Sequence, residues 1–366
     1  MDLLRGLAIF FVLMNHVNMR LLIADVPYTE HLPQQLVSSL VWNGQRGVQI
    51  FFAISGFLIT TTTLRRWSSL SNTSVRGFYL MRLARIAPLL FLLLAVLSAL
   101  HLAHLHNFVV PQKTGGLARA LFAALTFHVN VLEAHRGYLP GNWDILWSLS
   151  IEEMFYLFFP LAARFLGGRK VFIGLLLAFV VAGPFARAVL AHGNEVWREY
   201  SYLGGMDAIA LGCLTALILP RRHFSPRTLR TMAAIGAVFL IFTLCFSIQA
   251  DTLGLARAGL DMTLVALGTC FIIAAATQTN WKAPRFFAPL LDLGQRSYEV
   301  YLTHMFVVFT LFALFVGAGM PFTAIAPLFI SVTIIATLLG DLVARLYSEP
   351  LNRAIRARWR QPQPNP

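Results

Sequence analysis

Eleven apolar runs, most of them close to 20 residues long, divide this chain, and nearly every gap between them is short and polar or rich in arginine. The runs are roughly 3–24, 47–64, 86–105, 117–131, 144–163, 171–192, 203–219, 231–249, 259–277, 294–317 and 323–347. A helix needs about 20 apolar residues to cross the hydrocarbon of a bilayer. The composition agrees: 57% of the 366 residues are hydrophobic and 12% charged, about half the charged share of a soluble domain. A soluble protein of this size still needs a polar skin. A cytosolic enzyme, a disordered chain and a nucleic-acid-binding domain are therefore excluded. The net charge of +13 reads as the basic bias of cytoplasmic loops, with no nucleic acid as partner. The expected fold is an all-α polytopic membrane protein whose partner is the lipid bilayer.

Charge fixes the number of crossings. Segments 65–85, 164–170, 220–230, 278–296 and the tail hold nineteen of the 29 basic residues, so all five belong on the cytoplasmic side. Segments 65–85 and 164–170 can share a side only if an even number of crossings lies between them. The weakest run there is 117–131, which is short and contains Arg119, His128 and Asn130. It is expected to be re-entrant or to lie at the outer face. That leaves about ten transmembrane helices, one extra non-spanning hydrophobic segment, and both termini cytoplasmic. Residues 1–352 read as a single membrane domain without internal repeat, and 353–366 as a short basic, Pro-rich cytoplasmic tail. The first run carries Arg5 and His16 and has no small-residue cleavage site after it, so it reads as a first transmembrane helix and not as a signal peptide.

Ionisable groups inside a bilayer are costly, and each asks for a reason. His16 follows Arg5 by eleven residues, nearly the same helix face and about 16 Å deeper. It is either functional or a buried histidine bonded to a neighbouring helix. Glu152 and Glu153 stand in Trp147-Ser148-Leu149-Ser150-Ile151-Glu152-Glu153-Met154-Phe155-Tyr156. Glu152 lies ten residues after Asn142, about 15 Å deep from the opposite side, so it and His16 are expected at one level. Ser148, Glu152 and Tyr156 repeat at i, i+4, i+8 and form a polar stripe. Glu152 is expected to point at His16, and Glu153 to bond a neighbouring helix. A carboxylate beside a histidine fixes its tautomer, as a general base requires; the alternative is a polar pair used only for packing. Arg82 and Arg85 share one face, and two such guanidiniums can hold phosphate oxygens or simply anchor the helix end. Pro88 just beyond them points to a local break. Ser297, Tyr301 and His304 form a late stripe that lines a polar cavity or joins helices. Asp207 and Asp341 are embedded acids without an evident role.

Other features carry less. Cys213, Cys245 and Cys270 lie in apolar runs, an odd count without CxxC spacing, and read as small packing residues. His101, His104 and His106 have no nearby acid or cysteine, and no metal is expected. Gly115-Gly116 and Gly167-Gly168 match no phosphate-binding fingerprint and read as turns.

Several segments together resemble the integral-membrane acyltransferase type 3 family, bacterial O-acyltransferases of cell-surface glycans. Asp2-Leu3-Leu4-Arg5-Gly6-Leu7-Ala8 through His16 resembles its opening motif, which ends in an essential histidine. Gly47 to Ile59 resembles its second-span motif, Arg82-x-x-Arg85 its arginine pair, and Trp147 to Tyr156 its Trp-Ser-Leu-Ser, aliphatic, Glu-Glu pattern. Leu293 to His304 resembles its late span, and Ser348-Glu349-Pro350 its closing motif. The likeness runs through essentially the whole chain in order. The family usually has several residues before the position of Asp2, which points to a native start codon upstream. No segment of these 366 residues resembles the family's optional SGNH hydrolase domain.

The resemblance implies a bacterial inner-membrane enzyme with no permanently bound cofactor. It would take acyl-CoA, with acetyl-CoA the expected donor, from the cytoplasmic side and pass the acyl group to a hydroxyl acceptor, commonly a glycan. Arg82 and Arg85 would bind coenzyme A phosphates, and Arg5 the pantetheine or thioester end. His16 would be the general base, with Glu152 orienting it and Glu153 close by. Ser148, Tyr156, Ser297, Tyr301 and His304 would line the cavity. An acyl-enzyme on His16 or on a serine stays open, as do a small-molecule acceptor such as a macrolide and the oligomeric state. The rival class is a proton-coupled transporter or flippase with His16 and Glu152 as relay; the arginine pair and the missing inverted repeat speak against it.

Overall fold

The computed structural model describes residues 1–30, 32–279 and 281–358. Among the described residues every regular element is a helix. Ten helices build the body: α1 (Asp2–Ile23), α2 (Gly44–Trp67), α3 (Val75–Leu102), α4 (Leu146–Leu166), α5 (Lys170–Phe185), α6 (Tyr202–Ile218), α7 (Pro226–Cys245), α8 (Asp261–Thr277), α9 (Ser297–Gly317) and α10 (Ile325–Val343). Nine helical stretches among the described residues are long and apolar enough to cross a membrane. The tenth, α8, has 17 residues, or about 26 Å of rise against a core of about 30 Å. It lies alongside α7, with the Phe239 and Phe271 rings 6.3 Å apart. The chain is thus a polytopic, all-α membrane protein.

The run 117–131 does not cross. It divides into Gly116–Leu125, ten residues and about 15 Å long, and Val129–Arg136. Large apolar side chains such as Phe91, Val181 and Leu338 stay exposed on the outside of the bundle, where lipid replaces water. Between helices in lipid, close packing must supply what the hydrophobic effect supplies in water. One such close contact is α2 on α6. A Cβ on Gly56 would come within 1.9 Å of the Ile209 carbonyl oxygen, and one on Gly212 within 2.0 Å of the Ala53 oxygen. Only glycine allows the two backbones to meet there. Cys213 and Cys270 are buried packing residues, but Cys245 is exposed at the end of α7, where its carbonyl accepts hydrogen bonds from Gln35 and Ser39.

Two expectations change. Pro88 does not break α3, which runs unbroken through it. Neighbouring hydroxyls donate into the carbonyls of that turn: Tyr298 to Ile86 at 2.9 Å and Tyr347 to Pro88 at 3.2 Å. The run 294–317 instead breaks at Arg296, which caps the short helix Ala288–Gln295 and starts α9. Residues 353–358 of the expected tail are the last turns of a helix, Glu349–Arg358, which packs on α3. The remainder, 359–366, lies outside the described residues.

Asp207 and Asp341 acquire partners. Pro184 near the end of α5 is followed by a π-turn, Ala186–Leu190. Arg187 in that turn reaches the buried Asp207 on α6 at 2.7 Å and 3.2 Å, Thr263 on α8 at 2.7 Å, and the carbonyls of Gly259 and Gly204. Asp341 pairs with Arg296 at 3.1 Å and Arg345 at 2.7 Å.

Candidate active site

A cavity of about 490 Å³ opens among α1, α2, α3, α4 and α9. Pockets of this size hold small ligands. Its polar wall contains Arg5, Arg66, Arg82, Arg85 and Arg356 against only two acids, Glu152 and Glu153. Its apolar wall includes Phe51, Leu58, Ile59, Met81 and Leu302. Ser148, Tyr156, Ser297 and Tyr301 all line it, from the two polar stripes on α4 and α9. His304, from the same late stripe, is not a lining residue; it is fully buried one turn beyond Tyr301.

The charged cluster is built by α3 and α4. Arg82 donates to Glu153 at 3.0 Å, lies 4.0 Å from Glu152, and packs on the Tyr156 ring at 3.7 Å. Glu153 therefore does bond a neighbouring helix. Arg85 turns to Glu299 on α9 at 3.2 Å and lies over the Tyr298 ring. Arg5 pairs with Asp2, one turn before it, at 2.9 Å. Three of the five cavity arginines thus already face a carboxylate.

Glu152 and His16 do not meet. The Glu152 carboxylate accepts from Tyr156 at 2.6 Å and from Ser55 on α2, with Arg82 close by. A carboxylate with a hydroxyl on its own stripe and an arginine opposite is held where it is. The correction is one of direction: the ring beside His16 is His304, Nε2 to Nδ1 at 3.3 Å. Ser148 and Tyr301 share a hydrogen bond at 2.6 Å, and the Tyr301 and His304 ring centroids are 5.9 Å apart. Glu152 lies one turn from Ser148 on α4, and His304 one turn from Tyr301 on α9. The histidine pair therefore stands beyond the Ser148–Tyr301 contact.

The sequence reading gave no site role to Ser55, Arg66, Glu299 or Arg356. Glu299 carried a signal, being an acid in an apolar run, and it is 1% exposed. Arg66 and Arg356 carried none, since each is one arginine among many at a helix end.

Chemically, the cavity offers a basic wall for an anion and an apolar wall, with an imidazole pair, itself outside the lining, beyond its two hydroxyls. The family model described as an acyltransferase domain matches residues 1–343. The chain belongs to this family. The resemblance read from the motifs is borne out. The O-acetyltransferase OatA of Staphylococcus aureus strain NCTC 8325 is 24% identical over 337 residues, covering 88% of this chain and 54% of that protein. A putative O-acetyltransferase of S. aureus strain COL is 27% identical over 308 residues, covering 80% of this chain and 50% of the relative. The chain spans about half the length of the curated relatives it matches. No solved structure matches it.

Proposed function

We propose that this acyltransferase-family chain is a membrane O-acyltransferase that moves an acyl group, acetyl in the first instance, from acyl-CoA to a hydroxyl of a cell-surface or lipid-linked glycan. The observation that carries the reading is the cavity lined by five arginines together with Ser148 and Tyr301, the latter's ring 5.9 Å from that of His304. The family membership and the relatives named O-acetyltransferases support the transfer of an acyl group to oxygen. The charge asymmetry of the loops supports an inner-membrane protein with the arginine mouth and both chain ends cytoplasmic.

In this reading the nucleotide phosphates of the donor engage Arg66 and Arg356, which face no cavity carboxylate among the described residues, and then Arg82 and Arg85. Charge-assisted contacts to phosphate are the strong ones. The pantetheine follows the apolar wall past Arg5. Glu152, with Ser55, holds Tyr156 and Arg82 in place. His16 takes the proton of the acceptor hydroxyl as the oxygen attacks the thioester carbonyl. The C–S bond breaks, and the thiolate of coenzyme A recovers that proton.

The test is purified full-length protein with acetyl-CoA labelled in the acetyl group, beside mass spectrometry of surface glycans from a deletion strain. The expected result is thiol release in detergent and loss of an O-acetyl mass from the glycan. Thiol release without any glycan change moves the acceptor to a small molecule. No thiol release overturns the enzymatic reading.

A further inference from the structure

A histidine base has two ring nitrogens, and backbone carbonyls decide which one is free on His16. A carbonyl oxygen accepts hydrogen bonds and never donates. The Nδ1 of His16 lies 2.8 Å from the Val12 oxygen. That nitrogen therefore carries a hydrogen, and the lone pair of the neutral ring is on Nε2. The same rule applies to His304. Its Nδ1 is 2.7 Å from the Tyr301 oxygen and 3.2 Å from the Val300 oxygen, so it too carries a hydrogen, and the His304 Nε2 is a bare acceptor. This bare nitrogen is the atom that stands 3.3 Å from the His16 Nδ1. The rings are tilted by 57° with centroids 4.9 Å apart.

We propose that His304 is a positioning residue: its unprotonated Nε2, together with the Val12 carbonyl, holds the hydrogen of the His16 Nδ1 and leaves the His16 Nε2 as the basic atom. The inference rests on the reading of His16 as base. A carboxylate usually does this work beside a histidine; here the Glu152 carboxylate is held by Ser55, Tyr156 and Arg82 instead. At 3.3 Å the contact is long for two neutral rings. It tightens when His16 takes a proton on Nε2, because a hydrogen bond from a charged donor is shorter and stronger.

The arrangement also fixes the proton's route. The Nδ1–H of His304 faces only carbonyls, so a proton handed to His304 has no onward acceptor. The proton taken from the acceptor hydroxyl must leave by the nitrogen it entered. In the full step the O–H and C–S bonds break, the ester C–O bond forms, and the His16 Nε2 passes the proton to the thiolate sulfur. The histidine pair is a return path and not a wire across the membrane.

The experiment uses purified full-length protein and reads thiol release from acetyl-CoA, with water standing in for the acceptor. His304→Leu keeps bulk but has no acceptor, while His304→Gln offers an amide oxygen to the His16 Nδ1–H and an N–H to the carbonyls. The expected kcat of His304→Leu falls on the order of 10- to 10²-fold, as for a slightly misplaced group. The KM for acetyl-CoA is expected to stay unchanged, and His304→Gln to recover most of the rate. A Leu variant with full kcat, or Leu and Gln variants that are folded and equally slow, overturns the proposal. If the Leu variant aggregates, His304→Asn replaces it, because its shorter amide falls short of His16. His16→Gln is run in parallel. Full turnover there sinks the base reading itself, whereas a dead His16→Gln beside an unaffected His304→Leu sinks only the positioning role.

Discussion

Two of the ion-pair clusters among the described residues of this bundle, one around Asp207 and one around Glu152 and Glu153, are finished to different degrees. Around Asp207 every nitrogen of Arg187 has a partner, among them side chains of α6 and α8 and two backbone carbonyls. Thr263 and Gln49 complete the carboxylate. Around Glu152 and Glu153, Arg82 makes a single hydrogen bond, and its Nε is buried without any. A buried polar group left short of partners asks for an explanation. The first cluster is closed and holds α5, α6 and α8 together. The second borders the cavity and keeps capacity in reserve for something that enters. Between these two clusters, saturation goes with the pair away from the cavity and spare capacity with the pair beside it.

The comparison breaks most readily at Asp207. Asp207→Leu strands the Arg187 guanidinium, and breaking a buried pair from one side costs about 3–5 kcal/mol. The unfolding midpoint in detergent should drop sharply, while thiol release per folded molecule stays near that of the unaltered protein. Glu152→Gln should do the reverse, folding well and turning over slowly. Equal stability of the two variants would erase the distinction.

At the mouth of the cavity, Arg66→Ala and Arg356→Ala should each weaken coenzyme A binding by roughly 1.5–3 kcal/mol, the worth of a charge-assisted contact. Calorimetry against coenzyme A reads this directly. Arg85→Ala should instead lower stability as well, since it leaves the buried Glu299 alone. Ser148→Ala removes one hydroxyl from the Tyr301 contact and should cost about 0.5–1.5 kcal/mol of stability, measured as a small shift in midpoint. Last comes Glu133, outside the crossing helices. Burial, helped by the neighbouring Asp144, holds its carboxyl well above the usual range. Folding therefore takes up a proton there, and stability declines as pH rises past the ordinary carboxylate value. Glu133→Gln should flatten that decline, read as midpoint against pH.

Much of the frame was legible because each signal is local. Runs of about 20 apolar residues, the arginine segments and the weak 117–131 run are one-dimensional facts, and so are the stripes Ser148-Glu152-Tyr156 and Ser297-Tyr301. The helix carrying His16 was also readable. What depth does not give is azimuth: two helices running in opposite directions can bring His16 and Glu152 near one level and still point them at different neighbours. Ser55 and Tyr156 claim Glu152 from α2 and α4, and His304 claims His16 from α9. Arg187 and Asp207 were hidden for a different reason. Each alone reads as an exception to apolarity, and only the π-turn after Pro184 brings them face to face.

The arginine mouth also carries a statement about timing. Arg5 belongs to α1, and Arg356 to the last helix described, yet both border one cavity. Until residue 356 has been delivered and its helix laid against α3, the basic wall has a gap. A truncated or half-inserted chain can hold most of its helices and still have no finished place for an anion. Assembly of this pocket therefore waits on helices far apart in the sequence, and an anion bound there would fasten those two helices to each other.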